Sequence, residues 1–315
     1  MVQFPPEPLR VWFAATTSQA SAFSPCNITG FFRIHDSFHD PLRVGSTGAA
    51  VALANGVTTR VSLRRTRHPS IVTRFNGQRL DGKAVSNEVA GIYSELDERS
   101  WQVEISHECG FPPGRGYGTS GAGALSLSLA LNEAMGLSFS MLEAAQIAHL
   151  CEVECKTGLG TVASAFSGGL TVRKVPGAPE IGQVRKLTLP SSLRIVSGSF
   201  GPISTRRVLA DHYLKKEINA CGRALIERFL QDVSYSNFMS ISRKFSNCVG
   251  LISSRLRRAM NALDSSGFSC SMMMLGESLF CLLPREDVGR VEAIFRSHEL
   301  IPTTSLVARS GARLI

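Results

Sequence analysis

The chain has 315 residues, 43% of them hydrophobic and 19% charged, and its 34 Lys and Arg against 25 Asp and Glu leave a formal charge of +9. That balance excludes a disordered chain, and the length allows two domains with a sizeable buried core. No apolar run approaches the roughly 20 residues that cross a bilayer, which excludes an integral membrane protein and makes a cytoplasmic location the expectation.

In chain order, residues 1–20 read as an N-terminal leader: Pro5, Pro6 and Pro8 forbid helix, and Val11 to Ala15 is too short for a signal-peptide core. Strand-like, glycine-punctuated sequence follows, with Ile28 to Phe32 and Gly48 to Leu53 suited to buried strands. Residues 57–75 alternate as further β structure, and Phe75-Asn76-Gly77-Gln78 makes a hairpin turn. A helix is expected over 84–96, with Val85, Val89 and Ile92 on one side, then a strand at Trp101 to Ile105.

A glycine-rich stretch from Gly110 to Gly118 then gives way to a helix over Ser120 to Met135, stopped by Gly136. A second helix is expected from Phe139 to Cys155, with Leu142, Ala145, Ile147, Ala148 and Leu150 as its core face. Leu170 to Arg173 reads as a strand, Leu187 to Gly198 as another, and a domain boundary falls near Pro190. Beyond it come helices over about 206–231 and 247–264 separated by a polar region, a β region from Phe268 to Leu283 containing the core run Met272 to Met274, a last helix near Pro284 and a terminal strand. Such an order suggests a split β-α-β sandwich.

The eight cysteines (Cys26, Cys109, Cys151, Cys155, Cys221, Cys248, Cys270 and Cys281) include no Cys-x-x-Cys pair, and no His stands at ligand spacing from Cys151 and Cys155. A chain this long does not need disulfides, so all eight are expected as free thiols. The basic residues are dispersed apart from Arg60, Arg64, Arg65, Arg67 and Arg74, and Arg255, Arg257 and Arg258. With only 7% aromatics, not interleaved with them, they argue against a nucleic-acid surface.

The chemistry concentrates around the glycines. Backbone N–H groups in a glycine-rich turn converge on a phosphate, and a helix N-terminus adds free donors and partial positive charge. Thr119 and Ser120 place hydroxyls where a phosphate oxygen or Mg²⁺ would sit. A Walker A loop is excluded because no lysine precedes the hydroxyls, and the Pro112-Pro113 pair fits a dinucleotide fingerprint poorly. The alternative is a glycine-rich hinge that packs two elements closely.

The run Pro113-Gly114-Arg115-Gly116-Tyr117-Gly118-Thr119-Ser120-Gly121-Ala122 resembles the phosphate loop of the GHMP kinases (galactose, homoserine, mevalonate and phosphomevalonate kinases), which reads roughly Pro-x-Gly-x-Gly-Leu-Gly-Ser-Ser-Ala. Gly-Ala-Gly-Ala-Leu after the serine is more similar to the archaeal pantoate kinase branch. Ser24 to Phe32, Ala148 to Glu154 with Thr157 to Gly160, Gly201 to Thr205, and Met274 to Glu277 resemble the other motifs of that branch in the same order.

The resemblance implies an α+β, two-domain GHMP-kinase-like fold. Its N-terminal ATP-binding α/β domain, like that of a ribosomal protein, would occupy 21–190, and a C-terminal ferredoxin-like α/β sandwich 191–315. It implies an ATP-dependent kinase acting on the 4-hydroxyl of pantoate, with Mg²⁺ held by Ser120 and Glu152 (Glu154 being the alternative) and triphosphate on residues 113–122. It also implies a homodimer. Two departures stand out: Thr161 occupies the position where an aspartate base is expected, and Asn27 stands where histidine is expected. Threonine cannot act as a carboxylate base, although phosphoryl transfer depends mainly on positioning and charge stabilisation.

For the acceptor, Asn27, Arg33 and His35 after the first motif, with His39 and Arg43 nearby, and Gly276 and Glu277 are the candidates; Arg33 is the preferred carboxylate partner. His149 reads as a packed or capping histidine. The departures at Thr161 and Asn27 keep two other functions open: a kinase of another small hydroxy acid or alcohol, and a non-catalytic nucleotide- or nucleic-acid-binding relative.

Overall fold

The computed structural model describes residues 17–80, 82 and 84–315, so the expected leader lies outside the described residues except for residues 17–20, which open the first strand. Two long strands, β1 (Thr17–His35) and β2 (Gly45–Arg65), pair antiparallel along almost their whole length. Irregularities between Pro25 and Asn27 and between Thr29 and Phe31 bend the pair, as bulges do. β3 (Ser70–Phe75) and β4 (Gln78–Arg79) form the expected hairpin, with Asn76 and Gly77 at φ 49° and 79°.

Helix α1 (Val85–Leu96) buries Val85, Val89, Ala90 and Tyr93, while Ile92 is half-buried against the same core. β5 (Trp101–Cys109) runs antiparallel to β2 and parallel to β3. Three helices follow, α2 (Thr119–Met135), α3 (Met141–Cys155) and α4 (Thr161–Ser167), then β6 (Leu170–Val175) and β7 (Gln183–Leu187). α2 is buried on nearly every side, between the sheet and α1, α3 and α4. Its buried hydroxyls are satisfied: Ser128 donates to the Ala144 carbonyl at 2.6 Å and lies 2.9 Å from the Tyr93 hydroxyl.

β2 changes partner along its length: Val57 to Arg65 pair with β5, whereas Gly48 to Val51 pair with β6. Residues 110–118 leave the end of β5 where the sheet divides, which is what aims the glycine-rich loop into a cleft.

The second half begins with β8 (Leu193–Pro202) and continues through α5 (Thr205–Ala210), α6 (His212–Gln231), α7 (Tyr235–Val249), α8 (Ser254–Ser265), β9 (Ser271–Met272), β10 (Gly276–Pro284), α9 (Val288–Ser297), β11 (Thr303–Leu306) and β12 (Arg313–Leu314). β11, β8, β10 and β9 make an antiparallel sheet in that order. β12 returns to the first sheet, where Leu314 pairs with Ala22. α6 and α7 pack on β1, with Phe31 ring centroids 5.0 Å from Phe229 and 6.0 Å from Phe238. One apolar core therefore runs from the first sheet into the second. Each such buried aromatic contributes about 1.5–3 kcal/mol.

Several sequence expectations are corrected. The helix expected over 206–231 is broken at Asp211, whose side chain turns back to cap α6 by accepting from the Tyr213 and Leu214 N–H groups at 3.0 Å. The polar region expected before 247 is α7, capped by Ser234 and buried along Phe238, Ile241, Ser242 and Phe245. Its polar outer face hid the 3.6-residue period. The next helix starts at 254 rather than 247, because Gly250 in the left-handed region ends α7.

α3 starts after the Ser140–Glu143 capping box and buries Ala144, Ala145, Ala148, His149, Cys151 and Glu152, leaving Leu142, Ile147 and Leu150 half-buried. Two of the eight cysteines are not free: packing of α6 against α7 brings Cys221 and Cys248 to a Cα–Cα distance of 6.1 Å, joined as a disulfide. The other six are buried thiols.

Several arginines of the two clusters have local partners. Arg60 pairs with Glu108 at 2.5 Å, Arg64 bonds Gln102 at 3.0 Å, Arg257 bonds Asn247 at 2.6 Å, and Arg255 pairs with Glu277. No helix among the described residues is long and apolar enough to cross a membrane.

Candidate active site

A cleft of about 620 Å³ opens between the two sheets. Its floor is the glycine-rich loop and the start of α2; its walls come from the α3–α4 turn, from β2 and β6, and from residues 202–209 and 274–275. Gly114, Gly116 and Gly118 have φ of 73°, 85° and 64°, a left-handed conformation costly for residues bearing a Cβ. The first helical hydrogen bond runs from Ala122 N–H to the Gly118 carbonyl at 3.1 Å. Thr119, Ser120 and Gly121 therefore have no helical acceptor for their N–H groups, and α2 directs these donors and its positive dipole end towards the cleft.

Two parts of the chain hold this loop. Asn27 N–H donates to the Tyr117 carbonyl at 3.0 Å, and the Asn27 side-chain amide donates to the Thr161 carbonyl at 3.2 Å. Asn27 thus ties the first strand to both the loop and α4. From the second sheet, Gly276 lies so close to the Arg115 backbone that a Cβ there would collide with it. The Ser278 hydroxyl donates to the Arg115 carbonyl at 2.9 Å.

Glu152 sits on the inner face of α3, 1% exposed, against Gly121 of α2 and the start of α4. Its Oε1 is buried and has no hydrogen-bond partner among the described residues. Burial pushes its pKa up to about 8. A buried carboxylate oxygen left over beside a phosphate loop is a donor suited to a hard cation. Ser120 lines the cleft from the adjacent first turn of α2. Thr161 also lines it, its side chain against Gly118 and Gly121. Ser120 in the cleft lining and Glu152, which stands behind that lining, are oxygen donors of the kind Mg²⁺ takes; that ion uses few protein ligands and completes its shell with phosphate oxygens and water.

Arg173 was not singled out from the sequence. It is 3% exposed and forms part of the cleft wall. Its Nε donates to the Ser46 carbonyl at 3.2 Å and Nη1 to the Ser164 hydroxyl at 2.8 Å, and it has no carboxylate partner among the described residues. Burial lowers its pKa to about 10, which leaves it a cation at neutral pH. Its signal in the sequence is an arginine that directly follows the apolar run Leu170 to Val172. Lys156, Arg206 and Arg207 also line the cleft, so the cavity is strongly cationic.

Of the expected acceptor residues, Asn27 reaches the cleft, whereas Arg33 and His35 line a separate cavity of about 230 Å³. Glu277 is bound to Arg255 and to the Ser253 hydroxyl at 2.5 Å, and so anchors α8 rather than facing the cleft. His149 is buried behind the site, its ring nitrogen 2.9 Å from the Val44 carbonyl.

Residues 87–169, which carry the loop and Glu152, match the family described as GHMP kinases N terminal domain. Over 288 residues the chain is 34% identical to a pantoate kinase of Thermococcus kodakarensis, covering 89% of this chain and 92% of that protein. A pantoate kinase of Methanocaldococcus jannaschii is 31% identical over 87% of this chain and 97% of its own. Among solved structures, one titled a phosphotransferase related to the CoA biosynthesis pathway superposes with a TM-score of 0.86 at 29% identity, covering 94% of this chain and 98% of that one.

Proposed function

The chain belongs to the pantoate kinases, within the GHMP kinases, and from that membership we propose how its cleft transfers the γ-phosphate of ATP to the 4-hydroxyl of pantoate, giving 4-phosphopantoate in archaeal coenzyme A biosynthesis. The observation that carries the acceptor's chemistry is Arg173: a buried guanidinium in the cleft wall with no carboxylate of its own. A neutral alcohol would leave that charge uncompensated, whereas a hydroxy acid supplies the missing anion.

In this reading the N–H groups of residues 119–121 and the loop backbone hold the triphosphate. Arg173 fixes the carboxylate of pantoate, with its orientation set by Ser46 and Ser164. That anchoring points the 4-hydroxyl towards the γ-phosphorus. The hydroxyl oxygen attacks, the bond to the ADP oxygen breaks, and the hydroxyl proton passes to the transferred phosphoryl group. No carboxylate base is needed at Thr161, because the loose transition state asks mainly for positioning and charge neutralisation. Mg²⁺ held by Ser120 and Glu152 would neutralise charge building on the β- and γ-phosphates. Lys156, Arg206 and Arg207 add further positive charge around the phosphates.

The resemblance extends the proposal to a cytoplasmic homodimer, with a ribosomal-protein-like half at 21–190 and a ferredoxin-like half at 191–315. The test is ADP release by the purified protein with Mg-ATP and a panel of pantoate, other hydroxy acids and neutral alcohols. Turnover with pantoate above the rest is expected. Turnover confined to another acid would reassign the substrate, and turnover with neutral alcohols alone would remove the role given to Arg173.

A further inference from the structure

The cavity of about 230 Å³ that holds Arg33 and His35 lies on the reverse side of the strands that build the reaction cleft. Neighbouring residues of a strand point to opposite faces. Ser46 and Arg173 line the reaction cleft, and their neighbours Thr47 and Lys174 line this second cavity. In the β1–β2 register Arg33 stands directly opposite Thr47, while His35 Nε2 lies 3.0 Å from the Thr47 hydroxyl. The lid is α6, which contributes Arg223, Ile226 and Glu227 and is tied to β1 by a 2.7 Å bond from Ile34 N–H to the Asn219 side-chain oxygen.

Charge in this cavity is unbalanced. Arg33, Lys174 and Arg223 face one acid, Glu227, and none of the four forms an ion pair among the described residues. Arg33 Nε is buried and has no hydrogen-bond partner there. An unpartnered guanidinium nitrogen, a second arginine and an ammonium around a small volume match a compact, multiply charged oxyanion, for which the arginine fork offers bidentate bonding. Burial, and then the charge of Arg33, lower the His35 pKa against the opposing charge of Asp36.

We propose that the cavity bounded by Arg33, Thr47, Lys174 and Arg223 is a second anion site, which takes the phosphate group of a small phosphorylated molecule and is distinct from the phosphate loop. Because Thr47 and Lys174 are the immediate neighbours of Ser46 and Arg173, an occupant bears on the wall that holds the acceptor. The site does not depend on which acceptor the enzyme uses.

The test is thermal melting of the whole protein, with the phosphate loop saturated by Mg²⁺ and a non-hydrolysable ATP analogue. Inorganic phosphate is titrated at ionic strength held constant with sodium chloride, and sodium acetate is run in parallel. A saturable rise in melting temperature with phosphate, absent with acetate, is expected. Arg223→Glu and Lys174→Glu, both at exposed positions, should raise the half-saturating phosphate concentration at least tenfold while turnover without phosphate stays within twofold of wild type. No saturable response, an equal response to acetate, or unchanged half-saturation in both variants would overturn the site. A tenfold loss of turnover in both variants would place these residues in the reaction cleft and overturn its separateness.

Discussion

A Cβ on Gly121 would stand 2.7 Å from Oε2 of Glu152, so the first turn of α2 and the acid of α3 approach as closely as only glycine allows. The same Cβ would meet the Thr161 Cβ at 2.7 Å, and one of these two groups must yield. Gly121→Ala is expected to lower turnover at least tenfold by displacing Glu152 from the phosphate loop. Its overpacking cost is about 1–3 kcal/mol. Steady-state ADP release and urea unfolding check both effects; wild-type turnover in this variant would show that the close approach has no part in catalysis.

Removing either oxygen proposed for Mg²⁺ should damage chemistry more than folding. Ser120→Ala and Glu152→Gln are each expected to reduce turnover by about 100-fold or more, the scale seen when one transition-state stabilising group is deleted. The Mg²⁺ concentration for half-maximal rate should rise in the same variants. A magnesium titration of each protein decides the matter, and an unchanged magnesium requirement would release that residue from the role.

Arg173→Lys keeps the positive charge but loses the planar fork that bonds Ser46 and Ser164 and that is proposed to hold the acceptor carboxylate. The KM for pantoate is expected to rise at least tenfold, with the KM for ATP within twofold. A rise in the ATP constant alone would move Arg173 from the acceptor to the nucleotide.

His107 supplies a pH dependence away from the cleft. It is 1% exposed, with Nδ1 2.8 Å from the Thr59 hydroxyl and Nε2 2.9 Å from the Ser86 hydroxyl. Burial lowers its pKa from 6.5 to about 4. Between those values the unfolded chain binds the proton and the folded chain does not, so stability falls as pH drops from 6.5 towards 4. The full effect is about 3 kcal/mol at 1.36 kcal/mol per pKa unit. Urea unfolding at pH 7 and pH 4.5 should show most of this loss in the wild type and little of it in His107→Gln. An equal loss in both proteins would assign the acid sensitivity to other groups.

The phosphate loop was legible because its requirements are local: alternate glycines at positive φ, hydroxyls next in line and a helix that starts at once. Glu152 was proposed only through the resemblance of the short motif that carries it at the end of a helix, with Glu154 as the alternative. α7 was not legible, since its apolar face is defined by what it covers on β1, and its polar residues dominate the linear pattern. Likewise the Cys221–Cys248 link joins two helices through their packing, with no spacing signature in the chain.

The sequence by itself determined the order of strands and helices as far as α3, the glycine-rich turn before α2 and the family resemblance, because each depends on neighbouring residues and their backbone preferences, whereas α4 and β7 were not legible in it. Only the tertiary structure decided which cations meet which anions. Arg33 and Arg173 are 140 positions apart on opposite faces of one sheet, and the alternation of side chains along β1 and β6 sends Arg173 into the reaction cleft and Arg33 into the cavity behind it. The long-range register of those strands, and the point where β2 exchanges β5 for β6, set that outcome.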